Sequence, residues 1–230
     1  MLGDVFYPDG KPVGLALFDL DNTLIGGDSD YLWGCFLAEQ GIVDGAFYER
    51  ENQRFYDQYK AGELDIYEFL RFQLKPLAGH DMPTLRQWRA DYVEEKVRPI
   101  LLPLAHSLLD DHRAQGDIVV IITATNSFIT RPIADLYGVE YLLATEPEIV
   151  DDRYTGNVDG IPCFQHGKVE KLDAWLGENS IGLEHSWFYS DSHNDLPLLK
   201  RVTCPVAVDP DDILRQHAVE HDWRIMSLRN

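Results

Sequence analysis

Asp19 and Asp21 stand two residues apart at the end of an apolar run, in LALFDLDNTLIGGD, residues 15–28. Carboxylates this close resist ionising together unless a cation, a hydrogen-bond network or open solvent compensates. Further along, Thr123 ends the run DIVVIIT, Asp191 ends SWFYSD, and Asn194 and Asp195 follow it. Lys168 opens a helical stretch between the apolar runs at 139–145 and 186–191. If the apolar runs are strands of one parallel sheet, their carboxyl ends share a rim where ligands bind. Several carboxylates, one hydroxyl and one ammonium then gather at that rim. Hard oxygen ligands with room for water favour Mg²⁺, which would relieve the repulsion between Asp19 and Asp21. Mg²⁺ and Lys168 together make a locally positive pocket, and phosphate is the anion that suits it.

The elements that must position these residues are legible as alternation. The runs at 13–20, 117–123, 139–145, 186–191 and 205–209 are continuously apolar, as strands covered on both faces are. Between them lie helical stretches with recognisable ends, such as PLAHSLLDDHRAQG, which stops at Gly116, and SFITRPIADLYG, which stops at Gly138. The pattern predicts a doubly wound α/β core with a parallel sheet. One segment interrupts it. From Asp28 to about Pro99 there are only aromatic-rich helical patterns, too long for a single crossover helix. The expected division is therefore a core of residues 1–27 and 100–230 with a helical cap at 28–99. Gly26 and Gly27 would form the hinge on one side and Pro99 on the other. The stretch EIVDDRYTGNVDGIPC, 148–163, predicts an appended β-hairpin.

Composition narrows the function classes. The 230 residues include 39 acidic and 20 basic side chains, a formal net charge of -19, which argues against nucleic acid and anionic membranes as partners. Cys35, Cys163 and Cys204 are far apart and form no CxxC pair, so they indicate neither a disulfide framework nor a thiolate zinc site. The first ten residues, MLGDVFYPDG, lack a basic region and an apolar core, and no window approaches the ~18 apolar residues of a membrane span. A soluble, cytoplasmic protein is expected.

DLDNT at 19–23, IITAT with Thr123, GK with Lys168 and SDSHND with Asp191, Asn194 and Asp195 resemble, in order and spacing, the four motifs of the haloacid dehalogenase superfamily of phosphohydrolases. The helical insertion after the first motif resembles that superfamily's C1 cap, and the hairpin before Lys168 is similar to its phosphoserine phosphatase-like branch, subclass IB. The resemblance implies that Asp19 is the nucleophile and forms an aspartyl phosphate, and that Asp21 protonates the leaving alkoxide and later activates water. It further implies that Asp19, Asp21 through its backbone carbonyl, and Asp191 bind Mg²⁺. Thr123 and Lys168 would hold the phosphoryl group and balance its charge, and Asn194 and Asp195 would support the phosphate site. A small phosphorylated metabolite is the implied partner.

Two departures bear on the substrate. Thr123, Ala124 and Thr125 stand where phosphoserine phosphatases carry Ser-Gly-Gly, and Asp28 stands where they carry the Glu that grips the substrate ammonium. Relatives in this branch include enzymes assigned to histidinol phosphate. The cap aromatics Tyr31, Trp33 and Phe36 either pack helices, the commoner use of such spacing, or face an organic group. Taken singly, each motif also has a plain reading: an Asx turn at Asp21 to Thr23, a buried strand-end hydroxyl at Thr123, a solvated Lys168, a helix cap at Asp191 to Asp195. His217 and His221 read as a surface pair and His193 as a loop residue. A phosphotransferase or phosphomutase of the same fold, a receiver module and a non-catalytic binding scaffold are the alternatives to a hydrolase.

Overall fold

The computed structural model describes residues 13–229; the N-terminal decapeptide considered above lies outside the described residues. Seven strands form one sheet in the order β4-β3-β2-β1-β5-β6-β7. They are β1 (Leu15–Phe18), β2 (Ile118–Asn126), β3 (Tyr141–Val150), β4 (Arg153–Asp159), β5 (Ser186–Ser190), β6 (Cys204–Val208) and β7 (Arg224–Met226). All pairings are parallel except β3 with β4. β1, which delivers Asp19 and Asp21, lies between β2 and β5, which deliver Thr123 and Asp191. The predicted doubly wound sheet is thus present, and its central strands bring the three motifs to one edge.

The continuous apolar runs are explained by burial on two faces. Ala16 and Phe18 of β1 pack with Val119 and Ile121 of β2 in one hydrophobic cluster, while Leu15 and Leu17 pack with Val120 and Ile122 in a second. Helices α5 (Pro103–Gln115) and α6 (Ser127–Leu136) cover the first face through Leu109, Ile129 and Ile133. Helices α7 (His166–Asn179), α8 (Leu196–Leu199) and α9 (Asp212–Glu220) cover the second through Leu172, Leu198 and Leu214. Gly116, the C-cap of α5, has φ of 82°, a left-handed conformation that a side chain would strain.

Between β1 and β2 the chain forms α1 (Ser29–Glu39), α2 (Gly45–Ala61), α3 (Ile66–Ala78) and α4 (Met82–Tyr92), then a π turn at Val93–Val97 and a 3-10 turn at Arg98–Ile100. Aspartates cap all four helices: Asp28, Asp44, Asp65 and Asp81 each accept a backbone N–H of the first turn. The helical segment shares the first hydrophobic cluster. Trp33, Phe36, Leu74, Leu85 and Tyr92 are buried with Phe128 and Ile129 of α6. The two linkers into this segment pair with each other: Gly26 N–H donates to Ile100 O at 2.8 Å and Ile25 bridges Leu101. Neither Gly26 nor Gly27 has a positive φ, so the backbone freedom expected of a glycine hinge is not used there.

Beyond shifts of one or two residues at strand ends, the sheet differs from the sequence reading at three places. The run at 139–145 and the first arm of the hairpin are one strand, β3, whose far half leaves the parallel sheet to pair with β4. β2 continues past Thr123 to Asn126, with an irregular register between Ile122 and Asn126. β7 has only three residues, too few for a period to register in sequence.

Candidate active site

At the carboxyl ends of β1, β2 and β5, Asp19, Asp21, Thr123, Lys168, Asp191, Asn194 and Asp195 line a single cavity of ≈ 470 Å³. Lys168 is its electrostatic centre. The ammonium Nζ donates at 2.7 Å to Asp19 Oδ1 and at 2.7 Å to Asp195 Oδ2, with all three side chains buried. Burial disfavours that ammonium, and the carboxylates of Asp19 and Asp195 outweigh burial, holding the amine above its ordinary pKa. Asp195 Oδ2 also accepts from Ser190 Oγ at 2.7 Å, which fixes the carboxylate at the end of β5. The solvated helix-start reading of Lys168 is therefore excluded.

Asp21 is clamped from both sides. Its Oδ1 accepts the Ser29 N–H at 2.7 Å, from the start of α1, and its Oδ2 accepts Thr125 Oγ1 at 2.8 Å, from β2. Burial, then the nearby Asp28 carboxylate, pushes the Asp21 carboxyl up to about 6, and burial pushes Asp19 up to about 7 against the pull of Lys168. Asp191 is likewise well above the ordinary range through burial and the neighbouring Asp19. Among the described residues its side chain meets Thr23, whose hydroxyl donates to Asp191 Oδ1 at 3.3 Å and accepts the Asp191 N–H at 3.1 Å. Thr123, 1% exposed, accepts the Thr125 N–H at 3.2 Å, which leaves its own hydroxyl proton free to donate.

This donor set fits a hard divalent cation. Asp19, Asp21, Asp191 and Asp195 converge on the cavity against a single buried ammonium, an excess of oxygen ligands and negative charge that such a cation would neutralise.

Several contributing residues were not singled out by sequence. Thr23, Thr125, Ser190 and Ser192 hold the carboxylates or the loop that carries them. Gln165 Nε2 donates to Asn194 Oδ1 at 2.8 Å from a backbone at φ 48° and ψ -115°, a sparsely populated conformation immediately before α7. Tyr59 of α2 shares a 2.6 Å hydrogen bond with Ser192 Oγ and so ties the helical segment to the β5 loop. Asp30 is 4% exposed, receives Asn126 Nδ2 at 3.3 Å, and is raised well above the usual carboxyl range by burial and by Asp28. Thr125 repeats Thr123 at the spacing of alternate strand positions, the one sequence signal that could have marked it.

Asp28 has two features at once. One carboxylate oxygen caps α1 by accepting the Tyr31 N–H at 2.8 Å, and the residue, exposed at the helix start, also lines the cavity. Tyr31 lines the cavity as well, whereas Trp33 and Phe36 are each 1% exposed in the hydrophobic core, so the packing use holds for those two. His193 Nδ1 contacts Asp211 Oδ2 at 2.7 Å and does not line the cavity. His217 and His221 stack at 3.9 Å away from it, with Glu220 beside them.

Comparison with known proteins places this geometry. The chain is 41% identical over 219 residues to a histidinol-phosphatase of Neisseria meningitidis serogroup C, covering 94% of this chain and 99% of that protein. It is 28% identical over 207 residues to a phosphoserine phosphatase of Streptococcus thermophilus, covering 89% and 88% of the two chains. A solved structure from Bordetella pertussis Tohama I, described as a protein with unknown function, matches with a TM-score of 0.88 and 42% identity over 94% of this chain and 99% of that one. A phosphoserine phosphatase with a phospho-aspartyl intermediate analogue shares the fold, with a TM-score of 0.69 at 21% identity over 96% and 95% of the chains. The family model for haloacid dehalogenase-like hydrolases matches residues 16–200. The chain belongs to the haloacid dehalogenase-like hydrolases, and among them it is a phosphatase.

Proposed function

We propose that this phosphatase hydrolyses the phosphate monoester of a small amine that carries no carboxylate, with histidinol phosphate the leading candidate. One observation carries the reading: of the charged residues lining the cavity, Asp28, Asp30 and Glu49 extend the acidic wall beyond the catalytic group, and Lys168 is the sole base. Both Lys168 contacts are already made to Asp19 and Asp195. A substrate carboxylate therefore meets no guanidinium or second ammonium among the described lining residues, while a substrate ammonium meets several carboxylates. Phosphoserine suits this wall poorly. The name of the Neisseria relative agrees with an amino-alcohol ester.

In this reading Asp19 attacks phosphorus and the P–O bond to the leaving alkoxide breaks, giving an aspartyl phosphate. Asp21, held in place by Ser29 and Thr125, gives its proton to that alkoxide and then takes one from the water that attacks the aspartyl phosphate. Thr123 donates its hydroxyl hydrogen to a phosphoryl oxygen, and Lys168 offsets the charge that accumulates around Asp19. Asp19, the Asp21 carbonyl and Asp191 would hold Mg²⁺, which supplies charge neutralisation and orientation of the phosphoryl group. Asn194 and Asp195 keep the loop and the lysine in register. The helices from 28 to 99 act as the cap, enclosing the substrate so that only a positioned water reaches the intermediate.

The test is phosphate release from histidinol phosphate, phosphoserine, ethanolamine phosphate and glycerol phosphate. Histidinol phosphate should have the highest kcat/KM, turnover should vanish with EDTA and return with Mg²⁺, and Asp19→Asn should be inactive. A preference for phosphoserine would overturn the substrate class, and an active Asp19→Asn would overturn the nucleophile.

A further inference from the structure

Asn52 of α2 and Gln73 of α3 are 8% and 3% exposed, and both line the cavity. Neither side-chain amide hydrogen-bonds another described group, and neither is sealed into the protein away from the cavity. Gln53, next in the chain to Asn52, behaves differently: it is exposed and closes onto Asp57 at 2.8 Å. Amides that open only onto a cavity depend on water there, and a ligand displacing that water must replace its hydrogen bonds or lose affinity. Two of them facing one cavity therefore mark a place for a polar ligand group.

Their setting defines the shape of that group. Phe55 lies one helical turn from Asn52, and Phe69 one turn from Gln73, so each amide shares a helix face with a ring. The two rings meet edge to face, with centroids 5.2 Å apart, and both line the cavity. Gly34 of α1 leaves the room that Asn52 occupies, since a Cβ there would stand 3.2 Å from Asn52 Nδ2. The amides are thus set among rigid apolar surfaces, and each offers one donor and one acceptor function.

We infer that Asn52 and Gln73 form a subsite for a flat heteroaromatic ring bearing both an N–H and an unprotonated ring nitrogen, which in the amine ester proposed above is the imidazole. This rests on the preceding reading of the substrate as an amine, and it adds the group at the substrate's other end. The ring's edge pairs with the two amides while one of its faces lies against the Phe55 and Phe69 pair. A phenyl ring of the same outline fills the space and leaves both amides unpaired, a mismatch that polar sites reject far more strongly than a change of size.

The test compares histidinol phosphate with 2-amino-3-phenylpropyl phosphate, which keeps the ammonium and the phosphate and exchanges only the ring. Wild-type protein should prefer the imidazole ester by about a hundredfold or more in kcat/KM. In Asn52→Leu and Gln73→Met, thermal melts establish folding and the ratio of the two kcat/KM values is the readout. That ratio should fall tenfold or more in each variant. A wild type that uses both esters equally, or folded variants that keep the wild-type ratio, would overturn the subsite and leave the amine reading standing. A wild type that hydrolyses neither ester overturns the amine reading, and the subsite with it.

Discussion

Asp21 illustrates how much a single carboxyl depends on what surrounds it. Its two oxygens are taken by Ser29 N–H and Thr125 Oγ1, and burial with the nearby Asp28 brings its pKa to about 6, where it can both give and take a proton near neutral pH. Asp21→Asn keeps the size and loses the proton, so kcat should fall by about 10²–10⁴-fold with KM far less affected, measured by steady-state phosphate release. Asp28 calls for a different substitution logic, because it caps α1 as well as lining the cavity. Asn is as good a cap as Asp. Asp28→Asn should therefore leave the melting temperature in place while kcat/KM for an amine ester drops about tenfold relative to glycerol phosphate, as loss of a charged partner implies. Asp19, Asp21, Thr123, Asp191, Asn194 and Asp195 were legible because each ends an apolar run or follows one at short spacing, and Lys168 because it opens a helical stretch between two such runs; the structure brings all seven to one cavity. Asp30, Asn52, Tyr59 and Gln73 were not, because helix periodicity gives the face a residue occupies but not what that face meets.

Among the elements, the start of α7 places Lys168 within 2.7 Å of two carboxylates, and Gly167 makes that start possible. A Cβ on Gly167 would lie 1.9 Å from the Pro162 carbonyl oxygen, a backbone atom that cannot swing aside. Gly167→Ala must shift the helix start or the 162 segment, and either movement displaces the ammonium. A displacement near 1 Å costs about 10²-fold in rate. We expect kcat for phosphate release to drop by about that factor, and a variant as active as wild type would show that the α7 start tolerates movement. The helix itself was readable from its period and its flanking glycine; the close approach to Pro162 was not, since it depends on how the hairpin returns. The hairpin shows the same limit. Residues 139–145 and 148–150 carry two different strand signals, yet they are one strand, β3, because its first half is covered on both faces and its second pairs only with β4. Four helix-capping aspartates, by contrast, mark the starts of α1 to α4 directly in sequence.

Across the whole molecule, a formal charge of -19 is combined with a cavity whose carboxyls are themselves concentrated and buried. Folding gathers charges that the unfolded chain keeps apart. In the folded chain burial raises Asp19 from 3.8 to about 7 and Asp21 from 3.8 to about 6, and Asp191 rises as well. The folded protein therefore binds more protons than the unfolded chain across that interval. Stability of the EDTA-treated protein should consequently be lost as pH rises from about 4 through about 7, the reverse of the usual salt-bridged carboxylate. A Mg²⁺ ion held by the proposed ligands would bind the ionised carboxylates in competition with those protons, so its stabilisation should grow over the same interval. At about a hundred times its dissociation constant a cation contributes about 2.7 kcal/mol. For a chain of this length that is a rise in Tm of about 5–10 °C. Thermal melts with and without Mg²⁺ should show that rise near pH 8 and a clearly smaller one near pH 5, each against an EDTA control. Equal shifts at both values would mean that the cation does not bind through the buried carboxyls, and no shift at either would remove Asp19 and Asp191 as its ligands.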